Sequence, residues 1–264
     1  PALGLGPGKP MPRPLARFLA TLGFLSRLAR ARVMDEADMR RSMFHLPLCG
    51  LVIGLFACAP AMGLGLAGFF TASPFIPAWL CVLLSIWLTR GLHLDGLADV
   101  MDGAGQHLNP ERFWIILKDS RSGTFGVAAV VLALLGQTLL LAEVLRAGPA
   151  WAVWTLPWVF VFGRACAVVF GRLTRDLIRP GLGGLFLSGA TVPAVLWALA
   201  LALVPALVLR PMAAGAAALL AVLALIPLYR LARAVGGVNG DFLGAAVMIG
   251  ETTAAAGLAI SFSC

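Results

Sequence analysis

Seven stretches of this chain are each about as long and as apolar as a membrane-spanning helix: residues 45–70, 76–94, 125–145, 151–171, 190–209, 212–229 and 243–262. A span needs about 20 mostly apolar residues to cross the hydrocarbon core of a bilayer. In that medium backbone N–H and C=O groups must find partners inside the segment, so runs of this length read as helices. Breaks rich in Pro, Gly or charge separate them, and the last run is the weakest because Glu251, Thr252 and Thr253 interrupt it. Composition points the same way. Only 12% of the 264 residues are charged, against about 25% in a soluble protein. The expected fold is therefore all-α, a polytopic integral membrane helical bundle of about seven transmembrane helices. No internal repeat or soluble domain-sized segment is visible. Residues 14–264 read as a single transmembrane helical domain, and residues 1–13 as a disordered start or a remnant of expression.

Residues 14–33 carry Leu15, Phe18, Leu19, Leu22, Leu25 and Leu28 at helical spacing, with Arg17, Arg27, Arg30 and Arg32 interleaved. This suits an interfacial helix on an anionic leaflet, and equally a helix that caps the bundle. With the N-terminus cytoplasmic, segments 1–44, 95–124, 172–189 and 230–242 hold 16 Lys and Arg residues; the opposite side holds Arg146 and Arg210. That is a strong positive-inside bias. The net charge of +8 therefore points to cytoplasmic loops and membrane lipid headgroups, and no nucleic acid partner is expected. Ten of the twelve acids fall on the same side, whereas a channel or transporter more often places polar groups near midplane.

The chemistry concentrates in Arg90-Gly91-Leu92-His93-Leu94-Asp95-Gly96-Leu97-Ala98-Asp99-Val100-Met101-Asp102-Gly103. If the helix of the second run continues through it, Asp95, Asp99 and Asp102 fall at i, i+4 and i+7 on one face. Like charges at that spacing repel. A divalent cation reverses the sign, and Mg²⁺ is commonly held by a few carboxylates together with substrate phosphates and water. The bland alternative is a solvated helix end with a chance acidic run, which the scarcity of acids elsewhere disfavours.

Residues 103–124 form the longest polar break between spans. Asn109 is placed to cap a short helix with Pro110 at its first position. The break ends in Lys118-Asp119-Ser120-Arg121-Ser122-Gly123-Thr124-Phe125-Gly126, where two cations, one carboxylate, three hydroxyls and two glycines lie within nine residues. Such a group binds phosphate by charge and through backbone N–H groups near the glycines; a basic loop that anchors a helix end to headgroups is the competing reading. Gly236–Ala245 is a glycine-rich turn carrying Asp241 just before the last span, a second-tier site residue. The loop with Arg172, Arg175, Asp176 and Arg179 fits the positive-inside bias alone.

Within the spans, Arg164 and Glu251 either pair with one another or line the site, since an unpaired charge there is costly. His93 reads as a satisfied core histidine, and His45 and His107 show no ligand spacing. Cys49, Cys58, Cys81, Cys166 and Cys264 show neither zinc-site nor disulfide patterning. There is no Ser-His-Asp or Cys-His arrangement, P-loop or dinucleotide fingerprint. Physics alone reaches a membrane-embedded, Mg²⁺-dependent transferase acting on a diphosphate-activated substrate. In it Lys118 and Arg121 offset charge on the leaving group.

At these residues the chain resembles cobalamin synthase, the adenosylcobinamide-GDP ribazoletransferase family. The resemblance rests on Gly91–Asp99 with Asp102-Gly103, and on Lys118-Asp119-Ser120-Arg121 followed by Gly123-Thr124-Phe125-Gly126. Phe44–Gly50 with Gly54, Gly163-Arg164, Gly240-Asp241 and Leu243–Ala245 agree more weakly. It implies an all-helical enzyme of the bacterial inner membrane that uses Mg²⁺, with its N-terminus and active-site loops cytoplasmic. The 3′-hydroxyl of α-ribazole, or of its 5′-phosphate, would attack the cobinamide-side phosphorus of adenosylcobinamide-GDP and release GMP. Carried over, Asp95, Asp99 and Asp102 would be catalytic, metal-binding acids. Lys118, Asp119 and Arg121 would handle phosphates or proton transfer, with Asp119 counted among the catalytic acids; Ser120, Thr124 and Asp241 join Lys118 and Arg121 as candidate substrate- or phosphate-binding residues. A homo-oligomer, or contact with other corrinoid-pathway enzymes, fits the same picture.

The chain departs from the family in having Ser26-Arg27-Leu28-Ala29 where Thr-Arg-(Ile/Leu)-Pro is usual. Val100-Met101 and Ser122 also differ, and none of these is a proposed ligand. Two other membrane enzyme classes share the logic. CDP-alcohol phosphotransferases need an Arg after a DGxxA run, where Asp99 stands here. Aromatic prenyltransferases need a second Asp-rich motif that is not evident.

Overall fold

The computed structural model describes residues 13–70, 72–119, 121–147 and 149–263. Apart from Arg13, the segment expected as a disordered start lies outside the described residues, as do Ser120 and Cys264. Eleven α-helices follow one another among the described residues: α1 (Arg13–Leu25), α2 (Glu36–Leu66), α3 (Phe75–Thr89), α4 (Leu92–Ala104), α5 (Pro110–Ile116), α6 (Thr124–Arg146), α7 (Pro149–Leu173), α8 (Leu182–Leu187), α9 (Val192–Leu209), α10 (Pro211–Ala234) and α11 (Gly240–Ser263).

Five of these, α2, α6, α7, α10 and α11, are long and apolar enough to cross a membrane; α3 with α4 forms a bent sixth candidate, and α9 is a shorter apolar helix. The seven sequence runs thus correspond to α2, α3, α6, α7, α9, α10 and α11. The molecule is an all-helical, multi-pass membrane bundle. Packing fixes the directions. Gly50 of α2 lies against Phe160 and Gly171 of α7 against Met43, so α2 and α7 run antiparallel. Gly257 of α11 meets Ala213 and Ala217, while Ala245 and Ile249 lie near Leu228 and Leu231, so α10 and α11 form a tight hairpin.

The bundle is built around α7 and α11, whose most apolar stretches are 83% and 78% buried, against 28% for α6 and α10. This corrects the ranking of the spans. The last run looked weakest because a carboxylate interrupts it, yet its helix is central. Glu251 does not meet lipid; it pairs with Arg164 of α7, and both are buried. A Gly- and Ala-rich sequence lets α11 be approached closely from every side, so packing rather than lipid contact satisfies it.

A second correction concerns the acidic stretch. The second span does not run on into it. Arg90 and Gly91 take left-handed conformations, with φ of 56° and 72°, and α4 leaves at 90° to α3. Gly91 adopts this backbone freely, but Arg90 needs compensation. Its guanidinium donates to the carbonyls of Gly23, Phe24 and Ser26 at 2.7–3.2 Å, satisfying the free C-terminal end of α1. Arg27 in turn donates from its backbone N–H to the Leu88 carbonyl and from Nε to the Trp87 carbonyl. α1 also binds the start of α2 through Arg17–Asp38 at 2.6 Å and Thr21–Ser42 at 3.0 Å. It therefore lies against the start of α2 and locks the break at which α4 turns away from α3.

Candidate functional site

α4 places Asp95, Asp99 and Asp102 on one face, as the i, i+4, i+7 spacing predicts. Each then meets a different neighbour. The Asp102 carboxylate accepts from the backbone N–H of Gly123 at 2.7 Å and of Gly126 at 2.6 Å. It is an N-cap for α6 supplied from another helix, and its negative charge sits where the helix dipole favours one. Gly126 is needed for this approach, because a Cβ there would strike the Asp102 carboxylate and come within 2.8 Å of the Ala98 carbonyl.

Asp95 and Asp99 instead face the start of α11. Asn239 caps that helix, accepting from the backbone N–H groups of Asp241 at 3.2 Å and Phe242 at 3.4 Å. It also donates from Nδ2 to the Asp241 carboxylate at 2.6 Å, which fixes that side chain. The turn itself is held by a parallel bridge between Ile178 and Val238 and by Trp114 of α5 donating to the Val235 carbonyl. Helices α4 and α11 touch backbone to backbone. A Cβ on Gly96 would lie 2.8 Å from the Asp241 carbonyl oxygen, and one on Gly244 would lie 3.2 Å from His93. Gly96→Ala is therefore expected to push the helices apart and cost about 1–3 kcal/mol. Thermal unfolding in detergent checks this, and an unchanged midpoint would show that the contact is slack.

The four acids crowd one another, and no Lys or Arg among the described residues forms an ion pair with any of them. Burial, followed by the charges of Asp95, Asp241 and Asp102, pushes the Asp99 carboxyl up to about 6. Such a carboxyl holds its proton more tightly folded than unfolded. Its contribution to stability is then full below the ordinary value of 3.8 and is lost as pH rises through about 6. In metal-free buffer the unfolding midpoint of the wild type should fall over that interval relative to Asp99→Asn. Parallel curves would show that the crowding is absent.

No three His, Cys, Asp or Glu side chains among the described residues converge closely enough to hold a metal ion by themselves. The donor set nevertheless fits Mg²⁺ chemically. Asp95 and Asp99 accept no hydrogen bond from any described side chain, and mutual repulsion favours a cation. Mg²⁺ also usually completes its shell with water and phosphate oxygens.

Among the described residues, the Lys118–Gly126 segment bonds to the acids of α4 through the backbone N–H groups of Gly123 and Gly126. Asp119 is held by Arg121, whose Nη2 donates at 2.7 Å and whose backbone N–H donates at 3.1 Å, and this lowers its carboxyl to about 2. Lys118, Arg121 and Thr124 are exposed, and the Lys118 side chain forms no hydrogen bond or ion pair with a described residue. Asp241 thus joins the acids of α4, whereas Lys118, Asp119 and Arg121 stand on an exposed loop beside them. Ser120 lies outside the described residues.

The model of the cobalamin-5-phosphate synthase family matches residues 17–259, nearly the whole chain and every element of this site. The chain belongs to that family. Among the relatives of this cobalamin-5-phosphate synthase family member, an adenosylcobinamide-GDP ribazoletransferase from Nitratidesulfovibrio vulgaris (strain Miyazaki F) is 42% identical, with 91% of this chain and 93% of the relative covered. A protein of the same name from Citrobacter koseri is 35% identical, covering 89% of this chain and 95% of its own length. No solved structure matches.

Two parts of the site were not assigned from sequence. Asn239 was visible only as a member of a glycine-rich turn, although an Asn two residues before an acid at a helix start is a capping signal. The other part lies beneath α4. Arg164 forms a buried ion pair with Glu251 and approaches His93 Nδ1 at 3.5 Å. It also donates to the Phe160 carbonyl at 3.4 Å. A family member of this architecture therefore has a buried charged floor under the first turn of its acidic helix. The open choice for Arg164 and Glu251 resolves as pairing.

Proposed function

We propose that this chain joins adenosylcobinamide-GDP to α-ribazole or its 5′-phosphate, forming adenosylcobalamin or its 5′-phosphate with release of GMP, in a Mg²⁺-dependent reaction. The observation that carries the reading is the approach of Asp241 to Asp95 and Asp99 of α4, three acids with no ion pair to a described Lys or Arg. They lie at the polar end of a membrane bundle that belongs to the cobalamin-5-phosphate synthase family.

The 3′-hydroxyl oxygen of the acceptor forms a bond to the cobinamide-side phosphorus. The bridging P–O bond to GMP breaks, and the hydroxyl proton passes to a carboxylate or to water. In-line placement and charge stabilisation account for most catalysis of this kind. Bound Mg²⁺ would neutralise diphosphate charge. Asp95 and Asp99 would hold it, with Asp241 kept in position by Asn239. Asp102 braces the start of α6, so the Gly123–Gly126 turn has a fixed place. Lys118 and Arg121, the latter paired with Asp119, are exposed cations beside the acids, suited to the departing phosphate.

The sixteen-to-two distribution of Lys and Arg supports a bacterial inner-membrane protein with this end in the cytoplasm. Purified protein with the two substrates and Mg²⁺ should release GMP together with corrinoid product, and EDTA should stop both. Turnover with a CDP-alcohol or prenyl diphosphate donor instead would replace the reading. Labelling of a cysteine at position 95 from the periplasmic side would overturn the orientation.

A further inference from the structure

A cavity of about 150 Å³ opens beside the acids, bounded by α1, α2, α4, α8 and α11. We infer that it receives the planar aromatic base of the acceptor riboside, an inference that rests on the proposed reaction. Its inner wall is mostly apolar and buried, with Leu46 and Val247 1% exposed and Phe186 3% exposed, and the buried His93 completes it. The Phe24 ring stacks on that of Phe186, with centroids 5.9 Å apart and planes 26° from parallel. The mouth is apolar too, since Phe24, Leu92 and Leu182 are exposed. Asp95 and Asp241 belong to the same lining.

Size, polarity and charge select the occupant together. A space of this volume with Leu and Phe in its wall admits an aromatic ring. An open mouth leaves room for the rest of a bicycle. Guanine would bring a carbonyl and an N7 acceptor that the two carboxylates repel and the apolar wall leaves without partners, at a desolvation cost. The dimethylbenzimidazole of ribazole presents methyl groups and ring faces instead, and gains from the two phenylalanines. A phospholipid is disfavoured because its two acyl chains do not fit a space of about 150 Å³. With the base inside, its ribose lies at the mouth, and the hydroxyl to be phosphorylated faces Asp95 and Asp241.

Two variants test the slot from opposite sides, Phe186→Ala by widening it and Leu243→Trp by filling it. The KM for α-ribazole 5′-phosphate should rise about tenfold or more in each, in keeping with a hydrophobic specificity pocket. The KM for adenosylcobinamide-GDP should stay within about twofold of the wild-type value. As a readout independent of turnover, ribazole fluorescence should shift on adding wild-type protein, and this shift should be lost with Leu243→Trp. If Leu243→Trp fails to fold, Phe186→Ala and the wild-type titration still decide. Wild-type turnover with the acceptor KM unmoved in a folded variant would overturn the slot and leave the reaction standing. A fluorescence shift lost in the variant, in protein that turns nothing over, would support the slot and overturn the reaction.

Discussion

Asp99→Asn is expected to lower the rate of GMP release by about 10²–10³-fold, the usual cost of losing one preorganised charge-stabilising group. The same substitution should leave the unfolding midpoint unchanged or raise it. Asp99 is crowded by Asp95, Asp241 and Asp102, and removing one charge relieves that repulsion. Activity lost while stability is kept is the mark of a residue retained for chemistry. Asp102→Asn should behave differently, because it weakens the cap on α6 and costs about 1 kcal/mol of stability. GMP chromatography and thermal unfolding of both variants in the same detergent separate the two roles. An Asp99→Asn enzyme keeping more than about a tenth of the wild-type rate would place the chemistry elsewhere.

Arg164→Ala has the largest expected effect on stability. It leaves Glu251 buried between α7 and α11 without its cation, and breaking a buried pair in this way costs about 3–5 kcal/mol. Replacing both partners with apolar residues of similar volume, as in Arg164→Met with Glu251→Leu, should recover most of that loss, since neither desolvated charge is then left alone. Midpoints of the single and double variants form the test. The floor also touches His93 in the first turn of α4, so a stable double variant with low activity would show that the pair positions the acidic helix. Equal losses in the single and double variants would mean that packing at these positions, not charge pairing, supplies the stability.

These effects sort into what short stretches of sequence contain and what they do not. Period and composition were enough to place seven apolar helices to within a few residues in most cases, five of them long enough to span a membrane, and to line up Asp95, Asp99 and Asp102. Asn109 was equally legible as a cap, and it does accept from the Arg112 N–H at 3.1 Å. Helix propensity, capping and apolar length act over a few turns, so neighbouring residues suffice to read them.

Where the helices meet depends on contacts far apart along the chain. The acidic helix turns away at 90° because the Arg90 side chain finds the end of α1, more than sixty residues earlier. Asp241 joins Asp95 and Asp99 because Gly96 and Gly244 let two backbones approach. Glu251, which weakened the last span on hydropathy alone, is neutralised by an arginine on another helix and so lies at the centre of the bundle. Sequence determined a membrane bundle with an acidic helix at one end, since both follow from local period and apolar length. Tertiary structure decided which charges face one another, because a carboxylate's environment is set by what packs against it, and that was not written beside it in the chain.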